Sequence, residues 1–280
     1  RARALLVQRN DADTAEEFAA DVIVIAAGAF ESSRLLLLSR DSPHPEGIGN
    51  ASGMVGQRFT FHHLWIGTLL YKERLFTGML GPVTGQTQQF CNPSDRGRHG
   101  GIKVEFSSHF AGFPPEADAL DDISTGREIV ERSRDAVRSR GIIFHAETAP
   151  DRTKYLRLSS MEDRFGDPFI HVHYEGSEFD DRTYQFAVDL LKRFERATRG
   201  EVSNFDAPGD YDSGSHHMGG CSMGKDPRSS VVNGVGAVHS CPGLFVVGSS
   251  VFPGTSGCMN PTLTLSALAL RTADAISRGA

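Results

Sequence analysis

Asp21-Val22-Ile23-Val24-Ile25-Ala26-Ala27-Gly28 decides how this chain folds. Four consecutive β-branched residues are stiff at χ1 and favour an extended backbone. The run has no polar alternation, so it predicts a central strand buried on both faces. Small residues end it, and Gly28 permits a sharp turn. Glu31 follows early in a helix that Ser32-Ser33-Arg34-Leu35-Leu36-Leu37-Leu38 continues, and Pro43 and Pro45 close the unit. Strand, glycine turn and helix form the unit of a doubly wound α/β sheet.

The same grammar returns near the C-terminus. Gly243-Leu-Phe-Val-Val-Gly248 reads as a second buried strand, and a loop from Ser250 enters a helix over Pro261 to Ser277. Leu265, Leu268 and Ala269 fall at helical spacing there. Pro261 suits the first helical position, where a missing N–H loses nothing, and Asn260 is then the expected N-cap. Upstream, Arg3 to Gln8 reads as a strand, Asn10 to Thr14 as a polar turn and Phe18 to Ile25 as another strand.

The middle differs in character. Gly47 to Arg58 is glycine-rich and irregular, and Phe59 to about Phe106 is strand-like with glycine and proline turns. Gly126 to Arg140 predicts a charged helix with a solvated face. Ile142 to Glu147, Tyr155 to Ser159 and Phe169 to Tyr174 predict strands. Asp180 to Thr198 predicts an amphipathic helix with Phe186, Leu190, Leu191 and Phe194 on one side. The expectation is an α/β portion from residues 1–60 and 206–280, and an α+β block with a mainly antiparallel sheet over 61–205.

Composition excludes several classes. The chain has 280 residues, 39% hydrophobic and 23% charged, room for one large domain or two modest ones. The longest apolar run, Val22 to Phe30, is far short of the ~20 residues that span a bilayer. A net charge of −6 without a Lys/Arg run disfavours a nucleic-acid partner. Cys91, Cys221, Cys241 and Cys258 contain no C-x-x-C pair and read as small buried thiols, with one disulfide left open. The chain opens on Arg1 in what reads as the middle of a domain, so a fragment, a processed product or one part of a larger polypeptide is expected.

Chemistry-bearing residues concentrate after Asp206. Gly214-Ser-His-His-Met-Gly-Gly-Cys-Ser-Met-Gly224 is turn-rich and carries His216 and His217. A histidine near its ordinary pKa of ~6.5 accepts a proton at neutral pH. Neighbours in an extended segment point to opposite sides, so at most one of the two faces a substrate. The helix start at Pro261 offers unpaired N–H groups and a positive dipole end, suited to the negative N1/C2 side of a reduced flavin. Plainer readings suit other residues. His171 and His173 share a strand face without a third ligand, so packing is preferred to a metal and no metal site is assigned. His62-His63 is set beside the substrate pocket only as a secondary reading. Phe90, Phe106, Phe110 and Phe113 are read as core or lid before pocket wall. Ser249 and Ser250 lie in no G-x-S-x-G elbow, which disfavours a hydrolase.

Together these segments resemble the glucose–methanol–choline (GMC) family of FAD-dependent oxidoreductases. The resemblance covers Asp21 to Ser39, Gly47 to His63 and nearly all of Asp206 to Ser277. Val22 to Ser39 resembles the family's second signature segment, and Gly49-Asn-Ala-Ser-Gly-Met-Val-Gly-Gln-Arg58 the loop that follows it. The resemblance implies an α/β FAD-binding (Rossmann-like) portion and an α+β substrate domain. It implies His216 as the base that takes a hydroxyl proton, Asn260 as the residue that orients the same oxygen, and FAD as hydride acceptor. Ala27, Gly28, Gly248, Ser249, Pro261 and Thr262 match positions that contact FAD. The implied partners are a sugar or other alcohol and an electron acceptor, whether oxygen, a quinone or a cytochrome. The Asn260 version is most similar to bacterial sugar dehydrogenases and pyranose oxidases. The family's G-x-G-x-x-G fingerprint does not open this chain, because no buried strand precedes Gly47-Ile-Gly49. The chain alone is therefore expected not to hold FAD. Either a second polypeptide or the rest of a larger one completes the site, or the chain is a non-catalytic subunit or fragment.

Overall fold

The chain enters the fold through an antiparallel ribbon. β1 (Ala4–Gln8) and β2 (Ala15–Ala19) pair from Ala4 opposite Ala19 to Gln8 opposite Ala15. A bend at Asp21 separates them from β3 (Ile23–Ile25). The single strand expected over Phe18 to Ile25 is thus two, because β2 pairs antiparallel with β1 whereas β3 runs parallel to a strand at Leu244–Val246. The computed structural model describes residues 1–12, 14–75, 83–107, 126–209, 212–213, 216–255 and 257–279.

Gly28 takes a positive φ of 75° and starts α1 (Gly28–Leu38), with Glu31 in its first turn. Ile25 packs with Leu36 and Leu37 of α1 in a core that also holds Val231, Val232 and Val238. The opposite face of β3 is open, with Val24 46% exposed. The expectation of burial on both faces is therefore corrected: among the described residues β3 has one strand neighbour, and α1 and the loop residues cover one side only.

The middle builds one six-stranded sheet. Its members are β4 (His63–Leu70), β5 (Val83–Thr87), β6 (Ile102–Ser107), β7 (Ser139–Ala146), β10 (Glu201–Phe205) and β11 (Asp212–Ser213). Every pairing is antiparallel, in the order β10-β4-β7-β6-β5, with β11 on β4. The charged α2 (Gly126–Ala136) precedes β7 and is mostly exposed, as its composition predicts. β8 (Lys154–Glu162) and β9 (Pro168–Tyr174) form a separate hairpin. Arg34 of α1 ties that hairpin down, donating to Asp163 at 2.7 Å and to the Pro168 carbonyl at 2.7 Å.

α3 (Glu178–Thr198) lies against the sheet. Leu190 and Leu191 pack with Trp65, Ile102, Val104 and Phe144, and Phe186 and Phe194 border that core. Phe90 and Phe106 pack here too, edge-on to Phe194. Phe110 and Phe113 lie outside the described residues. A capping box between Ser177 and Asp180 starts α3. Asp180 also pairs with Lys154, and both side chains are fully buried. β12 (Leu244–Val246) is buried throughout, and a short 3₁₀ turn over Ser249–Val251 leads towards α4 (Thr262–Ser277). All four cysteines are free thiols, three of them buried. No helix among the described residues is long and apolar enough to cross a membrane.

Candidate active site

The segment after His216 is stitched between two loops. Met218 and Thr60 exchange both backbone hydrogen bonds, at 2.8 and 2.9 Å, while Gly219 and Cys221 donate to the carbonyls of Ser249 and Ser250. Gly219 has a φ of 81°, and a Cβ there would lie 2.2 Å from the Arg58 carbonyl oxygen. Only glycine allows this approach. In the extended stretch just before it the two imidazoles point apart. His217 packs on Phe30, with ring centroids 4.6 Å apart, and stacks on Phe59. His216 faces the other way, towards His62 and Asn260.

His216 and Asn260, 44 residues apart in sequence, lie together: Asn260 Nδ2 is 3.2 Å from His216 Nε2. Asn260 is not the N-cap that the sequence suggested. Pro261 holds that position, with no side-chain cap, and α4 begins at Thr262. The Asn260 carboxamide is engaged elsewhere, because its Oδ1 accepts from the Lys103 ammonium at 2.7 Å. A charge-assisted bond of this kind is about twice as strong as a neutral one and outcompetes a backbone N–H.

Lys103 opens a polar floor on the sheet. It donates at 2.6 Å to Glu105, two residues along β6, and Glu105 meets His145 Nε2 at 3.1 Å. Lys103 lies opposite His145 in the β6–β7 register, so all three side chains share one face of the sheet. The His145 ring is 6.0 Å from that of His216, at 30°. On the far side, the fully buried His62 brings its Nδ1 to 2.9 Å from His216 Nδ1. His62 Nε2 lies 2.9 Å from the carbonyl oxygens of both Thr255 and Gly257. Its neighbour His63 points away from the site and bonds Tyr174 Oη at 2.7 Å.

Burial sets the charge states. It lowers the pKa of His216 from 6.5 to about 4, with His62 and Lys103 adding to the drop and Glu105 opposing it. Burial likewise lowers His62, His145 and His217. Burial alone would raise Glu105, but Lys103 and His145 hold its carboxyl below the usual range. At neutral pH the site therefore holds neutral imidazoles over one Lys–Glu ion pair.

A cleft of about 540 Å³ lies on the His217 side of this segment, lined by Ala27, Gly28, Phe30, Glu31, His217 and Ser249 among others. Gly248 precedes Ser249 with a φ of 96°, and a Cβ on either Gly28 or Gly248 would meet nothing within 4 Å. Ala27, Gly28 and Ser249 thus share one concave surface, with Gly248 beside it. Pro261 and Thr262 follow Asn260 directly at the start of α4. His171 and His173 are exposed or half-buried on β9, where His173 stacks on Tyr155 at 4.6 Å.

Lys103, Glu105 and His145 carry no signature in the sequence. The one available signal is a charge pair at i and i+2 in the apolar strand Ile102-Lys-Val-Glu-Phe106, which sets both charges on one strand face.

Residues 150–269 match the C-terminal domain profile of the GMC oxidoreductases. Those residues carry a GMC oxidoreductase C-terminal domain. The chain is similar to paromamine 6'-oxidase of Streptomyces fradiae, 30% identical over 91% of this chain and 45% of that protein. It is also similar to the fructose dehydrogenase large subunit of Gluconobacter japonicus, 29% identical over 92% of this chain and 47% of that protein. Among solved structures, pyridoxine 4-oxidase from Mesorbium loti shares the fold, with a TM-score of 0.65 at 18% identity over 100% of this chain and 55% of that one. The chain spans about half the length of the curated relatives it matches.

Proposed function

We propose that this chain is the substrate side of an FAD-dependent oxidoreductase that converts a sugar or other alcohol hydroxyl to a carbonyl. The observation that carries this reading is the 3.2 Å contact between His216 Nε2 and the Asn260 carboxamide, two side chains brought together from distant segments. His216 accepts the hydroxyl proton at Nε2, the ring nitrogen that faces Asn260. Asn260 donates to the same hydroxyl oxygen, orients it and steadies the negative charge that develops there. The neutral imidazole that this step requires is the form that burial favours.

The residues present fit a flavin. The cleft at Ala27, Gly28 and Ser249, the open approach at Gly248 and the uncapped start of α4 at Pro261 and Thr262 would hold it. FAD, when bound, supplies the acceptor for the hydride that leaves the carbinol carbon. No G-x-G-x-x-G run follows a buried strand in this sequence, so we assign the pyrophosphate contacts to a segment outside these 280 residues. On this reading residues 1–60 and 206–280 belong to the FAD-binding domain and 61–205 to the substrate domain. The oxidase and dehydrogenase relatives support the reaction class.

The test is His216→Ala in the flavin-loaded full-length protein, with anaerobic flavin reduction followed by stopped flow over a panel of sugars and diols. The expected loss is ~10²–10⁴-fold. A reduction rate equal to that of the wild type removes His216 from the mechanism.

A further inference from the structure

We infer that His62 and Lys103 are positioning residues that fix the proton polarity of the His216–Asn260 pair from opposite ends, leaving a lone pair on His216 Nε2 and an N–H beside it. The inference rests on the reading of His216 as base. Neither His62 nor Lys103 need touch the substrate for it to hold.

The first end is anchored by carbonyls. His62 Nε2 lies 2.9 Å from the Thr255 oxygen and 2.9 Å from the Gly257 oxygen. A carbonyl oxygen only accepts, so the His62 proton sits on Nε2. His62 is fully buried, with Lys103 and His145 in electrostatic range, and these surroundings keep the ring neutral. Its Nδ1 is then a bare acceptor. His216 Nδ1, 2.9 Å away, must be the donor. A neutral imidazole protonated on Nδ1 carries its lone pair on Nε2.

The second end is anchored by an ammonium, which has three donors and no acceptor. Lys103 Nζ lies 2.7 Å from Asn260 Oδ1 and 2.6 Å from Glu105. The ammonium decides which end of the carboxamide is oxygen, an assignment that geometry alone leaves ambiguous. The amide NH₂ is thereby the group that faces His216 Nε2. Glu105 balances the Lys103 charge, so the buried cation does not stand unpaired.

Both chains of inference end at the same two atoms. An alcohol that gives up its proton needs an acceptor for its hydrogen and a donor for its oxygen, side by side. With the other His216 tautomer, Nε2 would carry hydrogen and could not take the proton. With the amide turned over, the alkoxide-like oxygen would face another oxygen.

The experiment is histidine-selective ¹⁵N NMR of the flavin-loaded full-length protein without substrate, with the His216 signals identified by their loss in His216→Ala. The wild type is expected to show the Nδ1–H tautomer. His62→Phe, which offers no acceptor, is expected to give a mixture of tautomers. Flavin reduction at saturating substrate should fall at least ~10-fold in it, with substrate affinity little changed. His62→Asn sets a carboxamide oxygen near the lost Nδ1 and should restore the Nδ1–H tautomer and most of the rate. Lys103→Met should lower the rate and leave the tautomer intact. An Nε2–H tautomer in the wild type overturns the inference, as does His62→Phe or His62→Asn with a mixed tautomer and wild-type rate. If His62→Phe does not fold, the wild-type spectrum and His62→Asn decide. Full activity in His216→Ala refutes the assignment of the base instead, whichever tautomer is seen.

Discussion

Acid should weaken this protein through histidines that the fold keeps neutral, and His63 is the cleanest probe. Its side chain is fully buried. Burial lowers its pKa from 6.5 to about 4, with Asp180 pulling the other way and Lys154 and His62 adding to the drop. As pH falls below 6.5 the unfolded chain binds a proton at His63 and the native state does not. Stability is therefore full above that pH, falls through the window between the two values, and reaches a constant deficit below about 4. At about pH 5 the two pKa values give a loss of about 2 kcal/mol from this one residue. That is a large share of a typical stability of roughly 5–15 kcal/mol. His216 has a similar shift but is half exposed, and solvent screening reduces its share. The assay is urea unfolding of the wild type and His63→Gln at several pH values from about 7.5 to 5. Glutamine keeps a polar partner for Tyr174 and does not titrate. The stability gap between the two proteins should narrow or reverse by about 2 kcal/mol on acidification. Parallel curves over that window would show that His63 is not held neutral by the fold.

Asn260→Asp sets a carboxylate between Lys103 and His216, so the His216 pKa should rise from about 4 and the acid limb of flavin reduction should move up in pH. The same change removes the N–H proposed to steady the substrate oxygen, with an expected loss of ~10²–10³-fold, and a wild-type rate would exclude Asn260 from the step. Gly219→Ala drives a Cβ into the Arg58 carbonyl at a positive φ, and a drop of at least ~1–2 kcal/mol in unfolding free energy is expected from the backbone alone. Lys154→Met leaves the Asp180 carboxylate buried without its cation, and the urea midpoint should fall by the equivalent of ~3–5 kcal/mol.

The parts legible in the sequence are those fixed by local grammar. The strand–glycine–helix unit at β3 and α1 follows from a β-branched run and a residue that tolerates a positive φ. The core face of α3 follows from its 3.6-residue period. The opposite orientations of His216 and His217 follow from the alternation of an extended chain. Features decided by long-range partners were not legible. Asn260 followed by proline reads as a helix cap, and only the arrival of Lys103, 157 residues earlier in the chain, turns its side chain elsewhere. Val24 sits in a run that reads as doubly buried, and its exposure depends on what lies across β3 rather than on its own neighbours. Alternation says only that His62 and His63 point apart, and which one faces the site is set by distant partners, the Thr255 and Gly257 carbonyls for His62 and Tyr174 for His63.

On the proposed reading His216 is a base whose resting pKa near 4 makes it weak at neutral pH, and the composition of the site accounts for this. The Lys103 charge is paired with Glu105 and the neighbouring imidazoles are neutral, so among the described residues no unpaired anion faces His216 to stabilise its imidazolium. The missing counter-charge is the one the substrate develops. As the O–H bond stretches, negative charge grows on an oxygen beside Nε2 in a partly dry site, and an adjacent anion raises the proton affinity of an imidazole. If His216 and Asn260 act as proposed, basicity rises only while a hydroxyl is in place and held by Asn260. A histidine permanently paired with an anion would have a higher resting pKa and would be protonated over more of the acid range before substrate arrived. On that reading the Lys103–Glu105 pair has two effects: its ammonium orients the amide that holds the oxygen, and Glu105 offsets part of the field by which Lys103 lowers the His216 pKa.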